Sequence, residues 1–223
     1  MKKRNKAAGL LWLPLLIAVL TLAGCGSSGD GRGESDAGQD TGSSVNLLEI
    51  KKDGKLSNTT EEAFEAGEYG EEDALKDYVL RNAAECNEQL GEEQITVKKL
   101  EVKKGTVTLV MEYESGEAFG AFHDYPFFYG TVAQAYEEGY DLDVELYEAG
   151  ADGGGASIGR EQLLEMGSRN IVIAQLPPRE HLSVQTSGKI LYISGAEYVK
   201  SNVARLDGPE EGSSRETAYI VFK

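Results

Sequence analysis

The N-terminal segment constrains the chain most, because it separates residues that can fold from residues that cannot. Four basic residues stand among the first six, and an apolar run follows from Ala7 to Ala23, interrupted by a glycine, a proline and a threonine. This order is typical of a secretory signal peptide, and the run is slightly short for a membrane-spanning helix, which needs about 20 apolar residues. We therefore predict that residues 1–24 are a signal peptide and take no part in the fold.

The apolar run ends in Leu22-Ala23-Gly24-Cys25. This tetrapeptide, at this position, resembles the lipobox of bacterial lipoproteins. The resemblance implies cleavage before Cys25 and a thioether-linked diacylglyceryl group on its sulfur, with acyl chains such as palmitate. Because each buried CH₂ contributes about 0.8 kcal/mol, several chains on one residue give a lasting attachment. It further implies a cell-membrane location on the extracytoplasmic face; a spanning anchor or an ordinary secretory signal is the alternative.

The charge of the chain excludes one class of partner. Its formal net charge is -16, and all the residues after the predicted signal peptide carry 18 Lys+Arg against 38 Asp+Glu. Such a surface repels nucleic acid and anionic headgroups, so we exclude nucleic-acid binding. Once Cys25 is acylated, Cys86 is the one remaining cysteine, so no intrachain disulfide can form.

Residues 25–45 combine the acylated cysteine with a segment rich in Gly, Ser and Asp that has no aromatic residue. Such a composition cannot bury enough apolar surface to offset its ordering entropy, which predicts a flexible tether spanning roughly 25 Å. Residues 46–223 have enough core-forming residues for a globular region. A change in pattern near residues 140–155 marks a possible boundary within it.

The first half of the globular region has the pattern of two hairpins separated by a helix. Asp53-Gly54 is a turn signal between two alternating runs, and Glu71-Glu72-Asp73 is a helix start whose apolar stripe ends before Gly91. A second hairpin turns at Lys103-Lys104-Gly105. The predicted strands are Leu47–Lys51, Lys55–Thr60, Ile95–Val102 and Thr106–Tyr113.

The second half is predicted to be rich in strands. Short helices are expected near Thr131–Glu138 and Arg160–Met166, the second closed by Gly167. Because strands and helices do not alternate strictly, we predict an α+β fold with antiparallel sheets rather than a doubly wound one. The predicted strands are Leu142–Tyr147, Asn170–Leu176, His181–Gln185, Lys189–Ser194, an interrupted Tyr198–Leu206, and Thr217–Phe222.

Four stretches of this region carry a resemblance. They are Leu47–Tyr113, the aromatic run Phe127–Ala133, the strand-like Gly188–Ser194 and the closing Ala218–Val221. Together they resemble an uncharacterised group of secreted lipoproteins from gram-positive gut bacteria. The resemblance implies the architecture and the location only, and supplies no reaction, ligand or site.

A possible nucleophile lies in Gly155-Ala156-Ser157-Ile158-Gly159, which fits G-x-S-x-G. A nucleophile elbow needs a strand directly before its serine, whereas here the preceding residues read as a loop. We therefore expect Ser157 to cap or lead into the following helix. The two histidines lie far apart in sequence. His123 could serve acid–base chemistry, although a surface or interface position is the simpler interpretation, and a deep pocket joining Ser157 to His181 would favour an extracytoplasmic hydrolase.

Two further groups are candidates for binding. Asp141, Asp143 and Glu145 alternate, so on a strand their carboxylates would share one face and could bind Ca²⁺ in a calcium-dependent structural module. The alternation is equally typical of a half-exposed strand. Phe127, Phe128 and Tyr129 belong to a dense aromatic segment that we expect to be mostly core. Any members that face solvent would form a recognition surface.

The sequence thus favours a lipid-anchored, extracytoplasmic and non-enzymatic module that either binds a protein or small-molecule partner or has a role in the cell envelope, without a cofactor. Its attachment to the membrane runs through the lipid on Cys25. Candidate residues scattered over an open sheet would favour this interpretation over the hydrolase.

Overall fold

A computed structural model describes residues 44–64, 72–150, 155–214 and 216–223. Cys25 and most of the predicted tether lie outside these residues. The described residues belong to one compact unit, and none of their helices is both long and apolar enough to cross a membrane. In chain order the elements are β1 (Val45–Ile50), β2 (Leu56–Ala63), α1 (Glu72–Leu90), β3 (Ile95–Lys103), β4 (Thr106–Tyr113), α2 (Gly116–His123), β5 (Phe127–Thr131), α3 (Val132–Glu137), β6 (Leu146–Glu148), β7 (Ser157–Ile158), α4 (Arg160–Glu165), β8 (Asn170–Ala174), β9 (His181–Gln185), β10 (Ile190–Ser194), β11 (Glu197–Lys200), β12 (Val203–Asp207) and β13 (Ala218–Phe222).

The strands form two sheets. The large sheet has seven strands in the order β11-β12-β9-β1-β2-β4-β3, and the small sheet has six in the order β5-β8-β13-β10-β6-β7. All the pairs are antiparallel except β1 with β9, which run parallel with Leu47 opposite Ser183. This mixture of four helices with two mainly antiparallel sheets in the described residues confirms the predicted α+β class.

The two sheets share one hydrophobic core. The large sheet contributes one face of each strand, including Leu48 and Ile50 from β1 and Val184 from β9. The facing side of the small sheet contributes Ile220 and Phe222, and helices α1 and α2 complete this core. The predicted hairpins and the long helix are confirmed, because alternating or helical patterns place apolar side chains on this one side.

The small sheet is buried on its other face as well. Ile171, Tyr219 and Val221 point away from the large sheet and pack in a second core against α3 and α4. Every residue of β13 is therefore buried. This explains why the strand reads as a continuous apolar run rather than an alternating one.

The second core also receives residues 142–146, where the sequence prediction is wrong. Leu142 and Leu146 are buried there, yet the strand begins only at Leu146 and covers three residues. The apolar alternation reflects two leucines that anchor an irregular segment.

Helix α2 is an element that the sequence analysis did not predict. It contains Phe119 and Phe122 and precedes β5, and Ser115 caps it by accepting a hydrogen bond from the Ala118 amide at 3.1 Å. A Cβ at Gly116 would lie 2.8 Å from the Tyr129 amide nitrogen, so this glycine allows α2 to pack directly on β5. The crowded aromatic residues thus belong to two different elements.

Because the small sheet is buried on both faces, we predict that shortening a side chain of β13 destabilises the protein. Val221 is 0% exposed, whereas Val199 in the edge strand β11 is 54% exposed. We expect Val221→Ala to lower the free energy of unfolding by about 2–3 kcal/mol through lost burial and a cavity. The matched change Val199→Ala should alter it by less than about 0.5 kcal/mol. Urea denaturation followed by circular dichroism measures both, and equal effects would contradict the packing described here.

Candidate functional site

The candidate nucleophile and the two histidines lie in different places. Ser157 is exposed in β7 at the edge of the small sheet, whereas His181 is exposed in β9 of the large sheet. The His181 Nδ1 lies 2.5 Å from the Asp207 carboxylate on the neighbouring strand. Among the residues that the structure describes, no hydrogen bond joins Ser157 to either histidine, so the predicted hydrolase pocket is not assembled from them.

Ser157 leads into α4, as one of the two expected roles, but it does not cap the helix. The residue at the start of α4 is Gly159, whose amide donates a hydrogen bond to the Gln162 side-chain oxygen at 3.2 Å. Ser157 instead pairs with Tyr147 across two short strands. The Gln162 side chain thus accepts a hydrogen bond at the start of α4, a role expected of the Ser157 hydroxyl.

His123 is partly buried and packs against an aromatic cluster. Its Nε2 is 3.1 Å from the Tyr113 hydroxyl, and its ring centroid is 4.4 Å from that of Phe119. Phe122 and Tyr125 contact the same ring. Because this surrounding disfavours a charged imidazole, burial lowers the pKa of His123 to about 4. The side chain is therefore a neutral member of the core at physiological pH.

The aromatic residues proposed for binding belong mainly to the two cores. Phe127 is 6% exposed and packs between the sheets, whereas Phe128 is 7% exposed and faces the second core. Tyr129 is half-buried and stacks on Phe222 with the ring centroids 6.2 Å apart. These three side chains stabilise β5, and they do not form the exposed recognition surface considered above.

The three alternating carboxylates do not form a shared metal site. Asp141 accepts a hydrogen bond from the Asp143 amide at 2.9 Å, and Glu145 accepts one from the Tyr147 hydroxyl at 3.0 Å. The strand needed to align them begins after Glu145. In the described parts of the chain, no group of three His, Cys, Asp or Glu side chains is placed to hold a metal ion.

A different polar group lies on the inward face of the large sheet, at one end of it. Asn58 is buried, and its side-chain amide donates to the Asn46 side-chain oxygen at 2.9 Å and to the Leu47 carbonyl at 3.2 Å. Asn46 in turn donates to the carbonyl of His181 at 3.0 Å. These bonds join β2, β1 and β9, so polar side chains replace the apolar core where the three strands lie side by side.

Two carboxylates lie beyond this polar bridge. Glu62 follows Asn58 on the inward face of β2, and Glu180 directly precedes β9. The register pairs Val45 with Glu61 and Leu47 with Ser183. Continued by one residue on the first ladder and by three on the second, it places Glu62 and Glu180 on either side of Ser44. Their backbones are then two strand spacings apart, about 10 Å.

Both carboxylates are half-buried, and this changes their titration. Burial raises the pKa of Glu62. Burial and then the charge of Glu62 raise the pKa of Glu180, and the charge of the adjacent His181 partly offsets this rise. In the described residues neither carboxylate has an ion pair or a side-chain hydrogen bond. By contrast, the Glu112 carboxylate on the outer face pairs with Lys51 at 2.5 Å and with Lys98 at 3.1 Å. These hydrogen bonds lower its pKa to about 2.

Tyr125 completes the group from the opposite layer. It is 6% exposed, and its hydroxyl makes no hydrogen bond to the described residues. Burial and then the charge of Glu180 raise the pKa of Tyr125. We call Glu62, Glu180 and Tyr125 the acidic crevice.

A tight turn holds Glu180 in place. The Glu180 amide donates to the Pro177 carbonyl at 3.2 Å, and the Glu180 carbonyl accepts from the Gly208 amide at 2.7 Å. Arg179 has a positive φ of 63° and its amide donates to the Pro209 carbonyl at 3.1 Å. A Cβ at Gly208 would collide with the Pro177 carbonyl oxygen, so only glycine lets the two segments approach.

The sequence analysis missed the acidic crevice, although part of its signal was present. On the inward face of the first hairpin, Ile50 stands opposite Leu56 and Leu48 stands opposite Asn58. The inward residues of β2 then stay polar as far as Glu62. An inward face that turns polar at one end indicates an opening in the core. The partner Glu180, however, is brought there only by the parallel pairing of β1 with β9.

Comparison with known proteins adds no relative. No protein-family model, no curated protein and no solved structure matches this chain. The site must therefore be interpreted from its own geometry.

The neutral state of His123 predicts a specific dependence of stability on pH. Its pKa is about 4 in the folded chain and about 6.5 in an unfolded one. Between these values the unfolded chain takes up a proton that the folded chain excludes, so stability is lost as the pH falls from about 6.5 to 4. We expect His123→Gln to lose less stability over this interval than the parent protein, as measured by urea midpoints.

The matched control is His181→Gln, which replaces the exposed histidine of β9 and leaves His123 in place, so the loss of stability due to His123 should remain. Glu62 and Glu180 contribute the opposite trend through their raised pKa values, and His181→Gln can only strengthen that trend at Glu180, because the charge of His181 lowers the pKa of this carboxylate. An unchanged slope in His123→Gln would show that the imidazole is protonated equally in both states.

Proposed function

We propose that this protein is a lipid-anchored extracytoplasmic binding module. The N-terminal segment supports the anchor: a basic start, an apolar run and Leu22-Ala23-Gly24-Cys25 in the order typical of bacterial lipoproteins. The acyl chains on Cys25 attach the chain to the membrane, and residues 26–45 separate the folded part from it. The described strands begin at Val45, where this spacer ends.

The acidic crevice carries the binding part of the proposal. Carboxylates that lose water without gaining a partner cost free energy, so a protein retains such a pair chiefly where a ligand compensates them. Within the described residues, Glu62 and Glu180 have no ion pair or side-chain hydrogen bond, and the Tyr125 hydroxyl makes no hydrogen bond. The proposed partner is a small molecule that enters this opening from the extracytoplasmic side.

The crevice also fits a role at the end of a tether. It flanks Ser44, the first described residue, so the binding site lies beside the point where the spacer joins the folded part. A spacer of about 25 Å keeps that opening clear of the lipid headgroups.

The lipid anchor predicts different behaviour for the two cysteines. In cells of a lipoprotein-processing bacterium, Cys25→Ala should abolish labelling by a fatty-acid probe and release the protein from the membrane fraction. Cys86→Ala is the matched control and should leave the labelling and the membrane association unchanged, because Cys86 is only 2% exposed, on the buried face of α1. Labelling that persists in Cys25→Ala, or protein found unprocessed in the cytosol, would contradict the proposed anchor.

A further inference from the structure

We propose that a cavity at one end of the large sheet binds a small hydroxylated carboxylic acid, such as a uronic acid. The cavity lies where β1 and β9 end, whereas the acidic crevice lies where these two strands begin. It is a second opening in the same sheet, and its ligand goes beyond the function proposed above.

The parallel pairing of β1 with β9 explains why an opening forms at this end. Because the two strands run in the same direction, both leave the sheet on the same side. The chain after β1 turns back into β2 of the large sheet, whereas the chain after β9 passes to β10 of the small sheet. Connections that diverge from the carboxyl ends of parallel strands leave a crevice between them, which is where α/β sheets bind their ligands.

The cavity has the size of a small-molecule site. Its volume is about 330 Å³, within the range of about 300–1,000 Å³ found for such sites. Two of the lining residues are buried, because Ile50 and Thr186 are each 2% exposed. The other lining residues are polar and half-buried or exposed, namely Glu49, Lys51, Lys52, Gln185, Ser187 and Asn202.

Hydrogen bonds hold much of this lining in place. The Thr186 amide donates to the Asn202 carbonyl at 2.9 Å, and the Thr186 hydroxyl donates to the Gly188 carbonyl at 2.7 Å. The Asn202 side-chain nitrogen donates to the Thr186 carbonyl at 3.3 Å. Between the two parallel strands, the Gln185 side-chain nitrogen donates to the Glu49 carboxylate at 3.1 Å. Because these side chains are already ordered, less side-chain entropy is lost when a ligand binds.

The charges of the lining point to an anionic group on the ligand. Lys51 and Lys52 are basic, and Glu49 is the one acidic residue of the lining. The Lys51 ammonium pairs with the Glu112 carboxylate at 2.5 Å, whereas Lys52 forms no ion pair with the described residues. An exposed lysine alone indicates no ligand, but this one stands at a cavity. A carboxylate would give its ammonium a charge-assisted hydrogen bond.

The remaining hydrogen-bonding groups favour a ligand that also carries hydroxyls. In the described part of the chain, the Ser187 hydroxyl and the Asn202 side-chain oxygen make no hydrogen bond. Glu49 has a second carboxylate oxygen, so the lining offers acceptors as well as donors. Phosphate or sulfate would supply mainly acceptors and would leave these oxygens without a donor. A uronic acid supplies a carboxylate for Lys52 and hydroxyl donors for the oxygens.

The experiment uses full-length protein in detergent, with isothermal titration calorimetry at pH 7 and D-galacturonate as the probe. D-Galactose is the matched neutral ligand, because it carries a hydroxymethyl group in place of the carboxylate. We expect galacturonate to bind about tenfold more tightly than galactose, the difference expected for a charge-assisted hydrogen bond. The net charge of -16 repels anions from the chain as a whole, so diffuse attraction cannot produce this preference.

Variants locate the binding in the cavity. Lys52→Gln should weaken galacturonate binding about tenfold and change galactose binding by less than about twofold. Ser187→Ala should weaken the binding of both sugars about threefold, because it removes a neutral hydrogen bond. The matched control Lys104→Gln removes the same charge from the exposed turn between β3 and β4, and should change either affinity by less than about twofold.

Three outcomes would overturn the proposal. The first is absence of galacturonate binding to the parent protein, and the second is equal galacturonate affinity in the parent and Lys52→Gln. The third is binding of acetate or inorganic sulfate as tight as that of galacturonate, which would show attraction of any anion to a lysine. None of these measurements involves Glu62, Glu180 or Cys25, so the proposals for the acidic crevice and the lipid anchor are tested separately.

Discussion

The double burial of the small sheet determines the rest of the architecture. Strand β13 sends Ile220 into the core shared with the large sheet and Val221 into the core under α3 and α4. The small sheet is covered on both sides. The large sheet, by contrast, has one face in contact with the core, and its other face bears ion pairs. The end of that inward face lies beyond the apolar contacts, which leaves space for Asn58, Glu62 and Glu180.

Local patterns in the sequence predicted most of the elements, because each hairpin or amphipathic helix is specified by neighbouring residues. The first hairpin, α1, the second hairpin and β9 all lie close to the predicted positions. The errors occur where tertiary packing overrides a local pattern. Leu142 and Leu146 alternate like strand residues but anchor an irregular segment, and α2 is a helix of only eight residues whose aromatic side chains stand close in sequence to those of β5.

The site was harder to predict than the fold, since it depends on contacts between residues distant in sequence. Ser157 and His123 attracted attention through their residue types, yet one lies on a sheet edge and the other is a neutral part of an aromatic core. Glu62 and Glu180 belong to ordinary-looking polar segments. Their proximity follows from the one parallel pairing in the fold, which no local motif encodes.

That parallel pairing also bears on how a chain held by its N-terminus would respond to mechanical load. Strand β1 is the first element after the spacer, and it lies between β2 and β9 near the middle of the large sheet. A pull on the spacer would act along β1 and would have to slide two hydrogen-bonded ladders at once, instead of peeling an edge strand one bond at a time. The spacer is thereby joined to the folded part at a strand that resists mechanical unfolding. Both hydrogen-bonded neighbours of β1 are present only after β9 has been synthesised.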